Sequence, residues 1–247
     1  LFAFPIMNPL GFENISRHIT FSDEDLNRSF PGDKKGSLAQ RIASKIFSTI
    51  LETRPNLVID LHNDWIQSIP YALIDPAKET GDAFRDSVRY AFLTGFATVL
   101  DKDVLQSSLS FNLLSEGIPS ITLEMGESYV VNEQNVQYGI SAIVHLLRYL
   151  EMIDSAPSVS PYPLHKRVQN EFLHYSDKPL CSSTGIIRFI IRPGSMVRKG
   201  QKLAKIYNAY GKLQETLYAD SLSLVLGCSE NSVAFPGASV FSLGMSG

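Results

Sequence analysis

The chain has 247 residues, 44% of them hydrophobic and 19% charged, with a formal net charge of -3. That balance is ordinary for a folded protein and supplies no basic field for nucleic acid or an anionic membrane. No run is apolar for long enough to cross a bilayer, residues 140–150 being broken by His145 and Arg148, and no signal peptide is visible.

Residues 1–6 form a short apolar run of strand character, and Asn8-Pro9-Leu10-Gly11 reads as a turn. The run lacks an initiator methionine and few chains start inside a core strand, so further residues are expected upstream. Residues 37–51 carry Leu38, Ile42, Ile46 and Ile50 at helical period, with Ala39, Ala43, Phe47 and Leu51 beside them. Ser37 and Gln40 have capping-box spacing, and Pro55 prevents the helix from continuing. Residues 56–62 and 119–124 read as strongly apolar strands. Helices are predicted over 81–95 and 133–150, the second with Val136, Ile140, Ile143, Val144 and Leu147 inward. This alternation predicts an α/β fold. Residues 154–163, with three prolines and three serines, read as a linker. Beyond it come short β-like runs at 185–191 and 202–207, predicting a small all-β domain over 164–247. Its Pro193-Gly194-Ser195-Met196 stretch resembles half of a biotinyl/lipoyl carrier motif without the carrier lysine, which favours a structural or access-limiting role. Cys181 and Cys228 lack C-x-x-C spacing and are read as unpaired thiols in a reducing cytoplasm.

Three places carry chemistry. In Asp60-Leu61-His62 the outer two side chains leave one face of a strand, so a carboxylate can orient a metal-binding imidazole. In Asp25-Leu26-Asn27-Arg28, a loop before the capped helix, an amide and a guanidinium are presented together, a pairing suited to a carboxylate. Arg17 lies in a loop eight residues before Asp25. Glu124 ends an apolar strand, where a carboxylate is costly unless solvated, paired or used. Each has a bland alternative: a structural strand-end histidine, a solvated loop arginine, a glutamate reaching solvent.

The order of these pieces is more specific than any one of them. Asn8-Pro9 with Gly11, Arg17, Asp25-Leu26-Asn27-Arg28 with Phe30-Pro31-Gly32, Asp60-Leu61-His62 and Thr122-Leu123-Glu124-Met125-Gly126 together resemble the succinylglutamate desuccinylase/aspartoacylase family, relatives of zinc carboxypeptidases. The resemblance implies a carboxypeptidase-like mixed sheet flanked by helices over 1–153. It implies one zinc ion with His62 among three protein ligands, and Arg17 polarising the scissile carbonyl. Asn27 and Arg28 then hold the substrate carboxylate, and Glu124 is the general base that activates water and protonates the leaving amine. The family's other two ligands come from an H-x-x-E motif upstream of the N-P-x-G turn, and no H-x-x-E occurs in this sequence. Among the other histidines, His18 lies in the arginine loop. Three functions stay open: hydrolysis of an N-acyl amino acid or similar small amide, a carboxypeptidase-like peptidase, and a non-catalytic small-molecule binder without a complete metal site. Oligomeric state and acyl specificity have no readable motif.

Overall fold

The computed structural model describes residues 1–76, 81–154, 161–229 and 231–247. In chain order, helix α1 (Pro9–Glu13) and strands β1 (His18–Ile19) and β2 (Glu24–Asp25) precede helix α2 (Leu38–Glu52). Then come β3 (Val58–His62), β4 (Gln67–Ser68), β5 (Tyr71–Ile74), α3 (Asp82–Leu93), β6 (Ala97–Leu100), α4 (Leu109–Ser115), β7 (Ser120–Glu124) and α5 (Glu133–Tyr149). From Leu164 the described elements are strands, apart from one 3-10 turn at Lys166–Val168: β8 (Phe172–Ser176), β9 (Gly185–Phe189), β10 (Met196–Val197), β11 (Lys202–Tyr207), β12 (Leu213–Tyr218), β13 (Ser223–Cys228), β14 (Val233–Ala234) and β15 (Phe241–Met245). The expected linker at 154–163 falls mainly on residues 155–160, which lie outside the described residues.

The chain forms two compact units, one of residues 1–59, 75–87 and 103–120, the other of residues 60–74, 88–102 and 121–247. In the first, α2 starts where its sequence says it should. Ser37 Oγ accepts from Gln40 N at 3.3 Å while Gln40 Oε1 accepts from Ser37 N at 3.0 Å. These two bonds satisfy donors that the first helical turn leaves open. Ala43, Ile46, Phe47 and Ile50 of α2 then pack with Ile19, Leu26, Phe30, Leu109 and Leu113.

The second unit is built on a mixed sheet of nine strands, in the order β10-β13-β15-β8-β6-β5-β7-β3 with β4 added beside β13. The pairings β5–β6 and β6–β8 are parallel, whereas β5–β7, β8–β15, β13–β15 and β10–β13 are antiparallel. The segment after Leu164 therefore extends the sheet that β5 and β6 begin. An antiparallel sheet, β12-β11-β9-β14, completes the unit. Ile187, Leu203, Ile206, Leu217, Val225 and Phe241 form one buried core there, and Tyr71, Val99, Leu173 and Leu226 another. Cys181 and Cys228 are both buried and free. Among the described residues no helix is long and apolar enough to cross a membrane.

Three local expectations need correction. Residues 1–6 form no strand, since a short apolar run gains strand hydrogen bonds only beside a partner edge. The turn expected at Asn8–Gly11 is the start of α1: Asn8 caps it, accepting from Gly11 N at 3.0 Å, and Pro9 occupies the first helical position. In α5 the buried face carries Gly139, Ser141, Ala142 and Leu146, while Val136 and Ile140 are 41% and 43% exposed. The cause is a close approach at Gly139, where a Cβ would lie 2.4 Å from Met125 Cε. Gly139 packs against Met125, and the larger Val136, Ile140 and Ile143 line a groove of about 360 Å³ with Leu61, Val130 and Val131.

Candidate active site

The arginine loop belongs to the first unit. Capped α1 leads to the two-residue strands β1 and β2, whose register pairs His18 with Asp25. Asn8 Nδ2 donates to the His18 carbonyl at 3.2 Å, tying the cap to this hairpin. Arg17 Nε donates to Asp25 Oδ2 at 2.6 Å, with the Arg17 side chain 59% exposed. Asp25 Oδ1 also accepts from Asn27 N at 2.9 Å, so one carboxylate both orients Arg17 and shapes the turn. Asn27 Oδ1 accepts from Leu109 N at 2.8 Å, the first residue of α4. Its amide nitrogen makes no hydrogen bond among the described residues. Arg28 is exposed and donates through Nη1 to the Asn27 carbonyl at 2.8 Å. His18 forms an exposed pair with Asp23 at 3.1 Å.

The second unit holds His62 and Glu124, at the ends of the neighbouring strands β3 and β7. Residues 60 and 62 share a strand face, and His62 Nε2 lies 2.9 Å from Asp60 Oδ2. An Asp60 carboxylate only accepts, so this contact favours a hydrogen on Nε2. His62 Nδ1 is 3.9 Å from Glu124 Oε1, and Glu124 is 8% exposed. The strand ends are locked by Met125 N donating to the His62 carbonyl at 2.8 Å and Asp64 N to the Gly126 carbonyl at 3.1 Å. Gly126 has φ +92°, and a Cβ there would lie 2.5 Å from Asn135 Nδ2. Only glycine turns the chain away here without strain.

The fold thus brings His62, Asp60 and Glu124 together in one unit and Arg17, Asn27 and Arg28 together in the other. The donor chemistry at His62 fits a metal ligand, an imidazole at a strand end with one ring nitrogen held by a carboxylate. Among the described residues no group of three or more His, Cys, Asp or Glu side chains forms a full metal site. Sequence reasoning gave no site role to Asp25, which sits in a quoted motif, or to Asp64 and Tyr71. Tyr71 Oη donates to Asp64 Oδ2 at 3.0 Å. Tyr71 lies in a stretch that the sequence reading assigned to no element or motif.

A family model for the succinylglutamate desuccinylase/aspartoacylase catalytic domain matches residues 1–150. The chain belongs to this family. The N-alpha-acetyl-L-2,4-diaminobutyric acid deacetylase of Halomonas elongata is 23% identical over 215 residues, which cover 83% of this chain and 59% of that enzyme. The chain therefore spans well under two thirds of that curated relative. Among solved structures, a succinylglutamate desuccinylase/aspartoacylase from Rhodobacter sphaeroides superposes with a TM-score of 0.81 at 20% identity, over 99% of this chain and 74% of that one. The product-bound ectoine utilization protein EutE (DoeB) from Ruegeria pomeroyi gives a TM-score of 0.76 at 18% identity, over 98% and 74% of the two chains. These two likenesses establish the fold.

Proposed function

We propose that the protein hydrolyses the amide bond of an N-acyl amino acid, or of a similar small amide bearing a carboxylate, with one zinc ion. The observation that carries this reading is His62 held between Asp60 at 2.9 Å and Glu124 at 3.9 Å, on the ends of adjacent strands. The deacetylase from Halomonas elongata supports the substrate class.

His62 would bind the ion through its imidazole, on the ring edge away from Asp60. When bound, zinc lowers the pKa of water toward ~7 and polarises a carbonyl. Asp60 keeps the imidazole in the required tautomer and orientation. Glu124 takes a proton from the attacking water and hands it to the nitrogen of the breaking C–N bond, so acid and amine leave as separate products. Arg17, steered by Asp25, stabilises charge on the former carbonyl oxygen, and Arg28 with the Asn27 amide holds the substrate carboxylate.

One observation favours a second reading, a non-catalytic binder: the described residues contain no complete metal donor set. The test is to produce the protein with whatever coding sequence flanks these residues, measure bound metal, and assay a panel of N-acyl amino acids. Zinc at one ion per chain, reduced in His62→Ala, together with turnover of a panel member supports the hydrolase. A metal-free wild type that cleaves nothing gives the site to the binder.

A further inference from the structure

Tyr71 lies outside every motif that carries the family resemblance, yet it stands against both Asp64 and Glu124. It is the first residue of β5, and its Cα partner on β7 is Glu124, so the two side chains leave the same face of the sheet. Tyr71 is 2% exposed, packed among Val99, Leu173 and Leu226, and its hydroxyl donates to Asp64 Oδ2 at 3.0 Å.

Asp64 is the pivot of the turn after His62. Its backbone N–H donates to the Gly126 carbonyl at 3.1 Å, and Ser242 Oγ lies 3.5 Å from its carboxylate. Asn63 Nδ2 next to it donates to the Glu127 carbonyl at 2.9 Å. With the Met125 N–H on the His62 carbonyl at 2.8 Å, these contacts stitch residues 62–64 to residues 125–127. The β3 and β7 ends are thus joined by a short ladder, and on the 62–64 side the half-buried Asp64 side chain anchors it to the Tyr71 hydroxyl. Burial first, and then the charges of Glu124 and Asp64, push the Tyr71 phenol well above its ordinary range. Its hydroxyl is therefore held protonated, as a donor. Removing that donor leaves the Asp64 carboxylate oxygen without its phenol partner.

We infer that Tyr71 is a positioning residue: by holding Asp64 it fixes the turn that follows His62, and through the His62–Met125 ladder it sets His62 against Glu124. Its catalytic consequence rests on the hydrolase reading; its structural consequence does not. Tyr71→Phe keeps the ring in its core and removes a single oxygen.

Hydrogen–deuterium exchange of the intact protein reads the structural arm. In Tyr71→Phe, peptides covering residues 62–68 and 123–128 are expected to exchange roughly tenfold faster. Peptides of β11 and β12 are expected to be unchanged. Asp64→Ala should loosen the same two peptides at least as much, and adding Tyr71→Phe to it should change them little further, because the tyrosine's effect runs through Asp64. Asp64→Asn, which keeps an acceptor for the phenol, should recover most of the protection. In protein that turns over substrate, Tyr71→Phe should lower kcat about 10–100-fold and leave KM nearly unchanged. Unchanged exchange at 62–68 and 123–128 in both Tyr71→Phe and Asp64→Ala overturns the inference, whatever the activity. A drop confined to KM overturns its catalytic half. Should Tyr71→Phe fail to fold, Asp64→Ala alone decides the exchange arm. An inactive, metal-free wild type sinks the hydrolase reading and leaves the exchange result standing.

Discussion

The arginine loop and the strand-end cluster solve opposite problems. Arg17 and Arg28 are exposed, and each is held by a partner close in sequence, Asp25 for one and the Asn27 carbonyl for the other. Glu124 and Asp60 are nearly covered, and their geometry follows from strand register and from the ladder between residues 62–64 and 125–127. A loop arginine can follow a ligand at little energetic cost, which suits capture of a carboxylate. A carboxylate on a paired strand end cannot drift, which suits proton transfer over hydrogen-bond distances.

If that contrast is right, substitutions in the two regions separate kinetically. The largest effect is expected for Glu124→Gln, with metal content retained and kcat lower by about 10²–10⁴-fold. Wild-type turnover in this variant would remove Glu124 from the mechanism. Next comes Asp60→Asn, which weakens orientation of the imidazole and should reduce zinc affinity about 10–100-fold in a competition titration. Unaltered affinity would mean that the 2.9 Å contact to His62 is structural only. Arg28→Ala should act mainly on KM, by about tenfold, since an exposed charge-assisted pair contributes modestly. A loss confined to kcat would contradict the capture role.

The gentlest test concerns the cores rather than the site. Burial pushes the Cys228 thiol from 9.0 up to about 12, and raises Cys181 as well. Below about pH 9 both thiols are protonated folded or unfolded, and their contribution to stability is fully present. Above it the unfolded chain loses its proton first, so stability falls until the folded thiol also ionises, by at most about 1.4 kcal/mol per pH unit per group. Denaturant midpoints measured between pH 8 and pH 11 should decline, and Cys228→Ala should flatten the decline.

Legibility in the sequence followed how local the determinant was. The capping box at Ser37 and Gln40 was readable because both partners lie within one turn. The Asp60–His62 pairing was readable because alternation along a strand is strict. The face of α5 was misread because the pattern ranks residues by apolarity, while contact at Gly139 is decided by the room Met125 leaves. Residues 1–6 were misread because strand propensity does not provide a strand partner. Tyr71 was hidden for a related reason: its partner Glu124 is chosen by sheet register, which no local pattern displays.

Strand β4 carries a consequence for the order in which the chain can mature. It follows His62 by only a few residues, yet Ser68 pairs with Gly227 and Gln67 with Cys228 near the opposite end of the sequence. Ile69 N reaches the Leu226 carbonyl at 2.9 Å in the same way. β6 likewise waits for β8. During synthesis the segment after His62 therefore emerges long before the strand that pins it, and loop closure of this length is slow. A nascent chain halted near residue 153 would display the bare edges of β4 and β6, which are templates for pairing with other chains. The last third of the sequence thus covers strand edges formed between residues 67 and 100, and shortening it should show as aggregation before it shows as lost activity.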